Sequence, residues 1–280
     1  MVWSNRPLRV GGKHARCIPL NEAVELNHPM RKLLPLLRTT LQVGRENWRF
    51  YRWRIHKSEC PGCGGGHFLS LQQNDLMTRC MSCWATAMNL SLIPVVQSHS
   101  QKQKIDTAWE MSTYGATLAY LKREIPVVHQ SEYFTGMPSG QLVNGVMCQD
   151  VQHLSFADES IDVITSNQVF EHVADDIQGF AECYRVLRHG GALVLGIPLH
   201  DIPVSRQLAE LKDGKLVFFG TPEYHGSRTT GPHSVPTFWH HSIHDICDRI
   251  SKVGFTVEMR EICLGGSQAM LSKVVYAVKR

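Results

Sequence analysis

Two cysteine pairs carry the strongest chemical signal in the chain. Cys60-Pro-Gly-Cys63 and Cys80-Met-Ser-Cys83 are separated by sixteen residues, a spacing that fits a four-cysteine zinc site. Each pair suits a tight turn that aims two thiolates inward, and two such turns close a tetrahedron with Zn–S distances of about 2.3 Å. Four protein ligands leave no open position, so the expected metal is structural. A redox dithiol and a pair of disulfides are the rival readings. A thioredoxin-like dithiol would open a helix after a strand, and the second pair would have no role there. The total of nine cysteines is odd, which argues against a complete disulfide framework and for a reducing, cytoplasmic setting. His67 could replace one ligand, but four thiolates already complete the shell.

Acids and histidines supply the next signals. Glu132 follows Glu110 by twenty-two residues, behind Ile125-Pro-Val-Val-His129, which reads as a strand. A carboxylate at the end of such a strand can accept ribose hydroxyl protons, and dinucleotide folds place an acid at a similar interval. The plain alternative is a loop glutamate. A nicotinamide cofactor would want Gly-x-Gly-x-x-Gly after the first strand, and that motif is missing. Histidine is the side chain best suited to take a proton near neutral pH. The candidates are His172, His200, His225, His233, His240, His241 and His244. His240 and His244 read as one helical face and invite a metal, but no acidic partner stands at zincin spacing. Phe238-Trp239 points instead to a packed segment.

These residues need a scaffold, and its pattern is α/β. Ile161 to Thr165 is a short apolar run suited to a buried strand. Ile177 to Leu187 carries Ile177, Phe180, Ala181, Tyr184 and Leu187 at helical spacing, and Gly190-Gly191 is expected to stop that helix. Ala192 to Ile197 reads as a second buried strand. Phe255 to Glu261 and Lys273 to Lys279 read as two final strands. Three parts are expected: an arm over 1–57, helical in places through Leu33, Leu34, Leu36, Leu37 and Leu41; a zinc-ribbon-like module over 58–92; and an α/β domain over 104–280. The polar run Gln97 to Lys104 between the last two reads as a linker or turn. Arg45 to Lys57 interleaves basic residues with Trp48, Phe50, Tyr51 and Trp53. That pattern can bind nucleic acid, or it can pack aromatics with solvated arginines. A net charge of +4 does not require a polyanionic partner, and no run of about 18 apolar residues proposes a membrane span.

Three segments carry a family resemblance. Asp150-Val151, the run Ile161 to Val173 ending in Glu171-His-Val173, and Arg185-Val-Leu-Arg-His-Gly-Gly191 stand in the order and spacing of the class I S-adenosylmethionine-dependent methyltransferases. The resemblance covers residues 104–280, within a bacterial methyltransferase-11-like subset. It implies a Rossmann-like, mostly parallel sheet whose last strand is inserted antiparallel. It implies S-adenosylmethionine held by Glu110, Ser112, Gly115, Glu132, Tyr133, Asp150, Val151, Asn167 and Gln168. Asp150 would take the adenine amino group and the Val151 amide would donate to the ring. The family's first glycine-rich motif is reduced here to Gly115, in the Glu-hydrophobic-Ser-x-x-Gly form of the subset.

The same resemblance places His172 below the reacting methyl. It also places Pro222-Glu-Tyr-His-Gly226 in the substrate wall, so His172 and His225 are the candidate bases and Tyr224, His225 and His200 the candidate acceptor contacts. The implied activity is methyl transfer to a small-molecule or sugar-like acceptor. An RNA acceptor, held by the zinc module and the basic arm, is the alternative, although no Asn/Asp-Pro-Pro-Tyr-type motif is present. A non-catalytic, zinc-dependent interaction protein on the same fold is the third reading.

Overall fold

The computed structural model describes residues 53–71, 75–227, 231–264 and 271–280. The expected arm helix and most of the basic-aromatic segment lie outside the described residues. The first described elements form a small antiparallel sheet of β1 (Arg54–Lys57), β2 (His67–Ser70) and β3 (Thr78–Cys80). Two short helices follow, α1 (Ala87–Leu90) and α2 (Leu92–Ser100). The Thr86 hydroxyl caps α1 by accepting the Asn89 N–H at 3.1 Å.

The main unit alternates strands and helices: β4 (Thr107–Glu110), α3 (Ala116–Glu124), β5 (Val127–Glu132), β6 (Leu142–Val143), β7 (Val146–Cys148), β8 (Ile161–Asn167), α4 (Asp176–Val186) and β9 (Leu187–Gly196). An insertion of short strands comes next: β10 (Leu199–His200), β11 (Arg206–Gln207), β12 (Ala209–Lys212), β13 (Lys215–Phe218), β14 (Tyr224–Ser227), β15 (Gly231–Pro236) and β16 (Trp239–Ser242). Helix α5 (Ile246–Ser251), β17 (Thr256–Cys263) and β18 (Leu271–Val278) complete it.

Eight strands form the central sheet in the order β17-β18-β9-β8-β4-β5-β7-β6. Strands β9, β8, β4, β5 and β7 run parallel, and β18 enters antiparallel between β17 and β9. This is the sheet the resemblance implied. The parallel core is apolar on both faces because helices cover both sides: every residue of β8 up to Ser166 is buried. Asp162 is the one charged residue of this strand, and it ties strands together. Its Oδ2 accepts the Asp106 and Thr107 N–H groups at 2.9 and 2.8 Å, and its Oδ1 accepts Arg188 at 2.8 Å. Burial pushes this carboxyl up, but the guanidinium and the two amides outweigh it and hold the group below its ordinary value.

Two expectations need correction. Gly190-Gly191 does not stop the helix, because α4 has already ended at Val186 and β9 starts at Leu187. The glycines lie in a bulge: Ile161 pairs with Leu187 while Val163 pairs with Ala192. A Cβ at Gly191 would sit 2.9 Å from the carbonyl oxygens of Arg188 and Asp162, and Gly190 has φ +80°. The polar run from Gln97 is not simply a linker either, since α2 continues to Ser100. Helix α2 docks the cysteine module on the main sheet. Leu90, Leu92, Ile93, Val95 and Val96 join Cys60, Phe68 and Cys80 in one buried cluster with Ala108, Val163, Val194 and Val274. Each such aliphatic side chain contributes about 1.5–3 kcal/mol when fully buried. His99 closes the contact through Nδ1, 2.9 Å from the Tyr276 hydroxyl. A second buried cluster lies under α4 and α5, around Phe170, Phe180, Leu193 and Ile250. Among the described residues no helix is long and apolar enough to cross a membrane.

Candidate functional site

The expected cofactor residues gather at the carboxyl ends of β4, β5, β7 and β8. Glu110 ends β4 fully buried. Its Oε1 accepts the Ser112 hydroxyl at 2.9 Å and its Oε2 accepts the Thr165 hydroxyl across the sheet. Burial lifts this carboxyl to about 7 despite the two hydroxyl bonds, and the Glu132 charge adds to the rise. The chain then turns through Ser112, Thr113 and Tyr114 to Gly115, whose φ of +111° favours glycine, and α3 begins. A Cβ placed at Gly115 meets nothing within 4 Å, so the helix start faces open space.

Glu132 ends β5. Its Oε1 accepts both the amide and the hydroxyl of Thr113, at 3.0 and 2.7 Å, so the acid is clamped to the loop after β4. Tyr133 is exposed, and after burial of its hydroxyl the Asp150 charge is the next cause raising its proton affinity, which makes the two neighbours. Asp150 is positioned by its own N–H, donating to Ser139 Oγ at 2.8 Å, and its Oδ1 accepts from Gln152. Val151 is buried. At the end of β8, Asn167 donates to Asn89 at 2.7 Å, and Gln168 turns with φ +56°. Asn167 Oδ1 and Ser166 Oγ are buried without a hydrogen-bond partner. Open space before α3, clamped acids at two strand ends and orphaned polar atoms at a third fit a bound nucleoside with a polar tail.

The histidines meet at the same end of the sheet. After β8 a 3-10 turn, Phe170–His172, is pinned by Phe170 stacking on Phe180 at 4.4 Å and by the Phe238 N–H donating to the Glu171 carbonyl at 2.7 Å. His172 Nδ1 is 2.8 Å from the Pro236 carbonyl, which can only accept, so Nδ1 carries the proton and Nε2 presents its lone pair. His225, on β14, brings Nδ1 within 3.2 Å of His172 Nε2, with the rings at 88°. The β14–β15 pairing sets this contact: Tyr224 lies opposite Pro236 and His225 opposite Val235. Burial depresses His172 to about 4.

Glu171 and Glu223 enter the sequence reading only as the edges of an expected pocket. The structure gives both a direct part. The Glu171 side chain is 2% exposed, and neither of its oxygens has a hydrogen-bond partner. Burial pushes its carboxyl to about 8. Its Oε1 is 3.7 Å from His172 Nε2 and 4.0 Å from His225 Nδ1. Glu223 Oε1 lies 3.4 Å from His225 Nε2, and its Oε2 accepts from His240 Nε2 at 2.9 Å. His200 stacks on His240 at 4.0 Å, which links it to this cluster, while Tyr224 stands beside Phe218.

The remaining histidines separate. His240 lies on strand β16, not on a helix, and His244 pairs with Asp201 at 2.8 Å on the exposed side, so the two do not share a helical face. His241 is fully buried against Asp176, which also accepts Arg249. Glu171 stands next to His172 in the sequence, but its burial and its approach to His225 come only from the fold.

The cysteine cluster is built from two similar turns. The Gly64 N–H donates to the Cys60 carbonyl at 2.8 Å and the Trp84 N–H to the Cys80 carbonyl at 2.9 Å, with Gly64 and Trp84 both at positive φ. Cys60 and Cys83 sulfurs are 3.9 Å apart and those of Cys63 and Cys80 3.7 Å. The edge of a tetrahedron with about 2.3 Å Zn–S bonds is about 3.8 Å, so the donor set fits zinc. The hydrogen bond from Cys83 draws Cys60 down to about 5, and the Cys83 proton is held correspondingly tighter.

Comparison with known proteins finds matches to parts of the chain. A family described as "Methyltransferase domain" matches residues 60–195, just under half of the chain. The uncharacterized 37.1 kDa protein in transposon TN4556 of Streptomyces fradiae is 49% identical over 76 residues, 24% of this chain and 22% of its own length. Malonyl-[acyl-carrier protein] O-methyltransferase 1 of Coxiella burnetii is 32% identical over 147 residues, 51% of this chain and 45% of its own length. The chain thus spans less than half the length of either curated relative. Among solved structures it is similar to the 1,6-didemethyltoxoflavin-N1-methyltransferase of Burkholderia thailandensis, with 1,6-didemethyltoxoflavin and S-adenosylhomocysteine bound. That match has TM-score 0.45 and 11% identity, over 69% of this chain and 78% of the other. Sheet order and family match together define the fold as that of a class I methyltransferase.

Proposed function

We propose that this chain is an S-adenosylmethionine-dependent methyltransferase acting on a hydroxyl of a small-molecule or sugar-like acceptor. The observation that carries the reading is the meeting of His172 and His225 at the sheet end where Glu110 and Glu132 end their strands and Asp150 follows β7. When bound, the cofactor supplies an activated methyl on a sulfonium. The chain's own residues align, orient and take up a proton.

Glu132 keeps one oxygen on Thr113 and offers the other to a ribose hydroxyl. Asp150 offers a carboxylate to the adenine amino group. Glu110 holds the loop before Gly115 through Ser112. Tyr133, Val151, Asn167 and Gln168 complete the cofactor's surroundings, and Tyr224 and His200 flank the acceptor. His172 and His225 face the acceptor hydroxyl and promote the loss of its proton. His172 is held for this by the Pro236 carbonyl, which fixes its tautomer and leaves Nε2 available. We further assign a structural zinc to Cys60, Cys63, Cys80 and Cys83, which suits a reducing compartment such as the cytoplasm. The module over 58–92 then buttresses the cofactor side: Asn89 holds Asn167, and its carbonyl accepts the Thr117 hydroxyl at 2.8 Å.

The test is methyl-labelled cofactor with a panel of hydroxylated acceptors. Label should appear on an acceptor oxygen. His172→Ala should lose about 10²–10⁴-fold in turnover with cofactor affinity retained. Equal turnover in the variant contradicts the assignment.

A further inference from the structure

We propose that Glu171, His172 and His225 hold a divalent first-row transition cation, and that this cation is where the acceptor's oxygen binds. The proposal rests on the methyltransferase reading for its acceptor and on the geometry alone for its metal.

Glu171 Oε1, His172 Nε2 and His225 Nδ1 are separated by 3.2, 3.7 and 4.0 Å. A point equidistant from all three lies about 2.1 Å from each, the length of a metal bond to imidazole or carboxylate. The three atoms come from two segments 53 residues apart in sequence. Two nitrogens and one carboxylate oxygen suit zinc, manganese, iron or cobalt better than magnesium or calcium. Three protein ligands leave open positions, which distinguishes this corner from the closed cysteine site.

The hydrogen bonds around the cluster point the same way. Without a cation, His172 Nε2 accepts from His225 Nδ1–H, and the second His225 nitrogen faces Glu223. The buried Glu171 oxygens then have no hydrogen-bond partner. A protonated Glu171 fares no better, since 3.7 Å to the nearest imidazole nitrogen is too long for a hydrogen bond. With a cation, each histidine is neutral and each remote N–H has its own acceptor. His172 Nδ1–H donates to the Pro236 carbonyl and His225 Nε2–H faces the Glu223 carboxylate. This is the outer-shell pattern of metal-bound histidines, carbonyl or carboxylate behind imidazole. The orphaned Glu171 oxygen gains its ligand in the same step.

The chemistry follows from the open positions. A hydroxyl oxygen on the cation becomes more acidic, and a neighbouring hydroxyl or carbonyl oxygen can take a second position. The acceptor class is therefore an alcohol with an adjacent oxygen, such as a vicinal diol. On transfer the acceptor O–H bond is lost, its proton going to solvent, and an O–C bond forms. The S–C bond of the cofactor breaks with its electron pair staying on sulfur.

The experiment is Mn2+ titration of the full chain loaded with one equivalent of zinc, which the four thiolates take first, followed by loss of the free-ion paramagnetic resonance signal. Mn2+ does not compete for four thiolates, so it reports this site alone. One equivalent should bind. Glu171→Gln and His225→Ala should each weaken it at least tenfold, with zinc content unchanged. His225 is partly exposed on a hairpin, so its variant remains informative if Glu171→Gln does not fold. Absence of Mn2+ binding, or equal binding by wild type and the His225 variant, overturns the proposal. S-adenosylhomocysteine titration on the same samples separates the two readings: cofactor binding without Mn2+ binding removes only the metal site, and the reverse removes only the methyltransferase reading.

Discussion

The cysteine corner and the histidine corner are both compact clusters of ligand-type side chains, yet they differ in how the chain makes them. The cysteine corner comes from two turns of five residues, each closed by its own backbone bond. The histidine corner needs β8 to end, a 3-10 turn to follow, and a hairpin from the insertion after β9 to fold back over it. One is closed and holds shape. The other is open on the His225 side and lies at the end of the sheet where open α/β folds take ligands. Local construction makes the first cluster, and long-range construction makes the second.

The largest expected effect breaks the closed corner. Cys80→Ser removes a buried ligand whose sulfur is 3.7 Å from Cys63, and a structural zinc site contributes about 10–16 kcal/mol in isolated fingers. Zinc content should fall from one equivalent at this site to near zero, and the small sheet should lose its protection from hydrogen exchange. Retained protection after zinc loss would show that docking through α2 alone holds the module.

A smaller effect sharpens the open end. Glu110 is fully buried with its carboxyl raised from 4.5 to about 7. The folded state keeps a proton that the unfolded state releases, so this contribution is fully present below pH 4.5 and is lost as pH rises through about 7. The loss is about 3 kcal/mol. Glu110→Gln should remove that slope, making the variant gain on wild type between pH 5 and 8 in denaturant titrations without added cofactor. Parallel curves would show that Ser112 and Thr165 already compensate the charge.

The contrast also explains what could be read from the sequence. The cysteine quartet and the strands β5, β8, β9 and β18 were legible because their signals are local: pair spacing in one case, short apolar runs in the other. The α2 helix was partly missed because its exposed end is polar, although Leu92, Ile93, Val95 and Val96 carry the packing. The Gly190-Gly191 bulge was read as a helix stop because a bulge and a helix stop use the same residues. His240 was misplaced on a helix because the short strands of the insertion have no clear period. His172 and His225 were named through family resemblance, but their contact, and the parts played by Glu171 and Glu223, depend on hairpin register that no local pattern encodes.

The smallest effect belongs to the most direct measurement, isothermal titration of S-adenosylhomocysteine into zinc-loaded wild type and Glu132→Ala. Glu132 is anchored to Thr113 by two bonds, so its removal costs the loop's clamp and, in the proposed site, a ribose contact. The account predicts one-to-one binding by wild type, weakened by about 1.5–3 kcal/mol in the variant, the scale of hydrogen bonds to a charged group. No binding to well-folded wild type would contradict the methyltransferase reading outright, and binding unchanged in Glu132→Ala would remove that acid from the cofactor site.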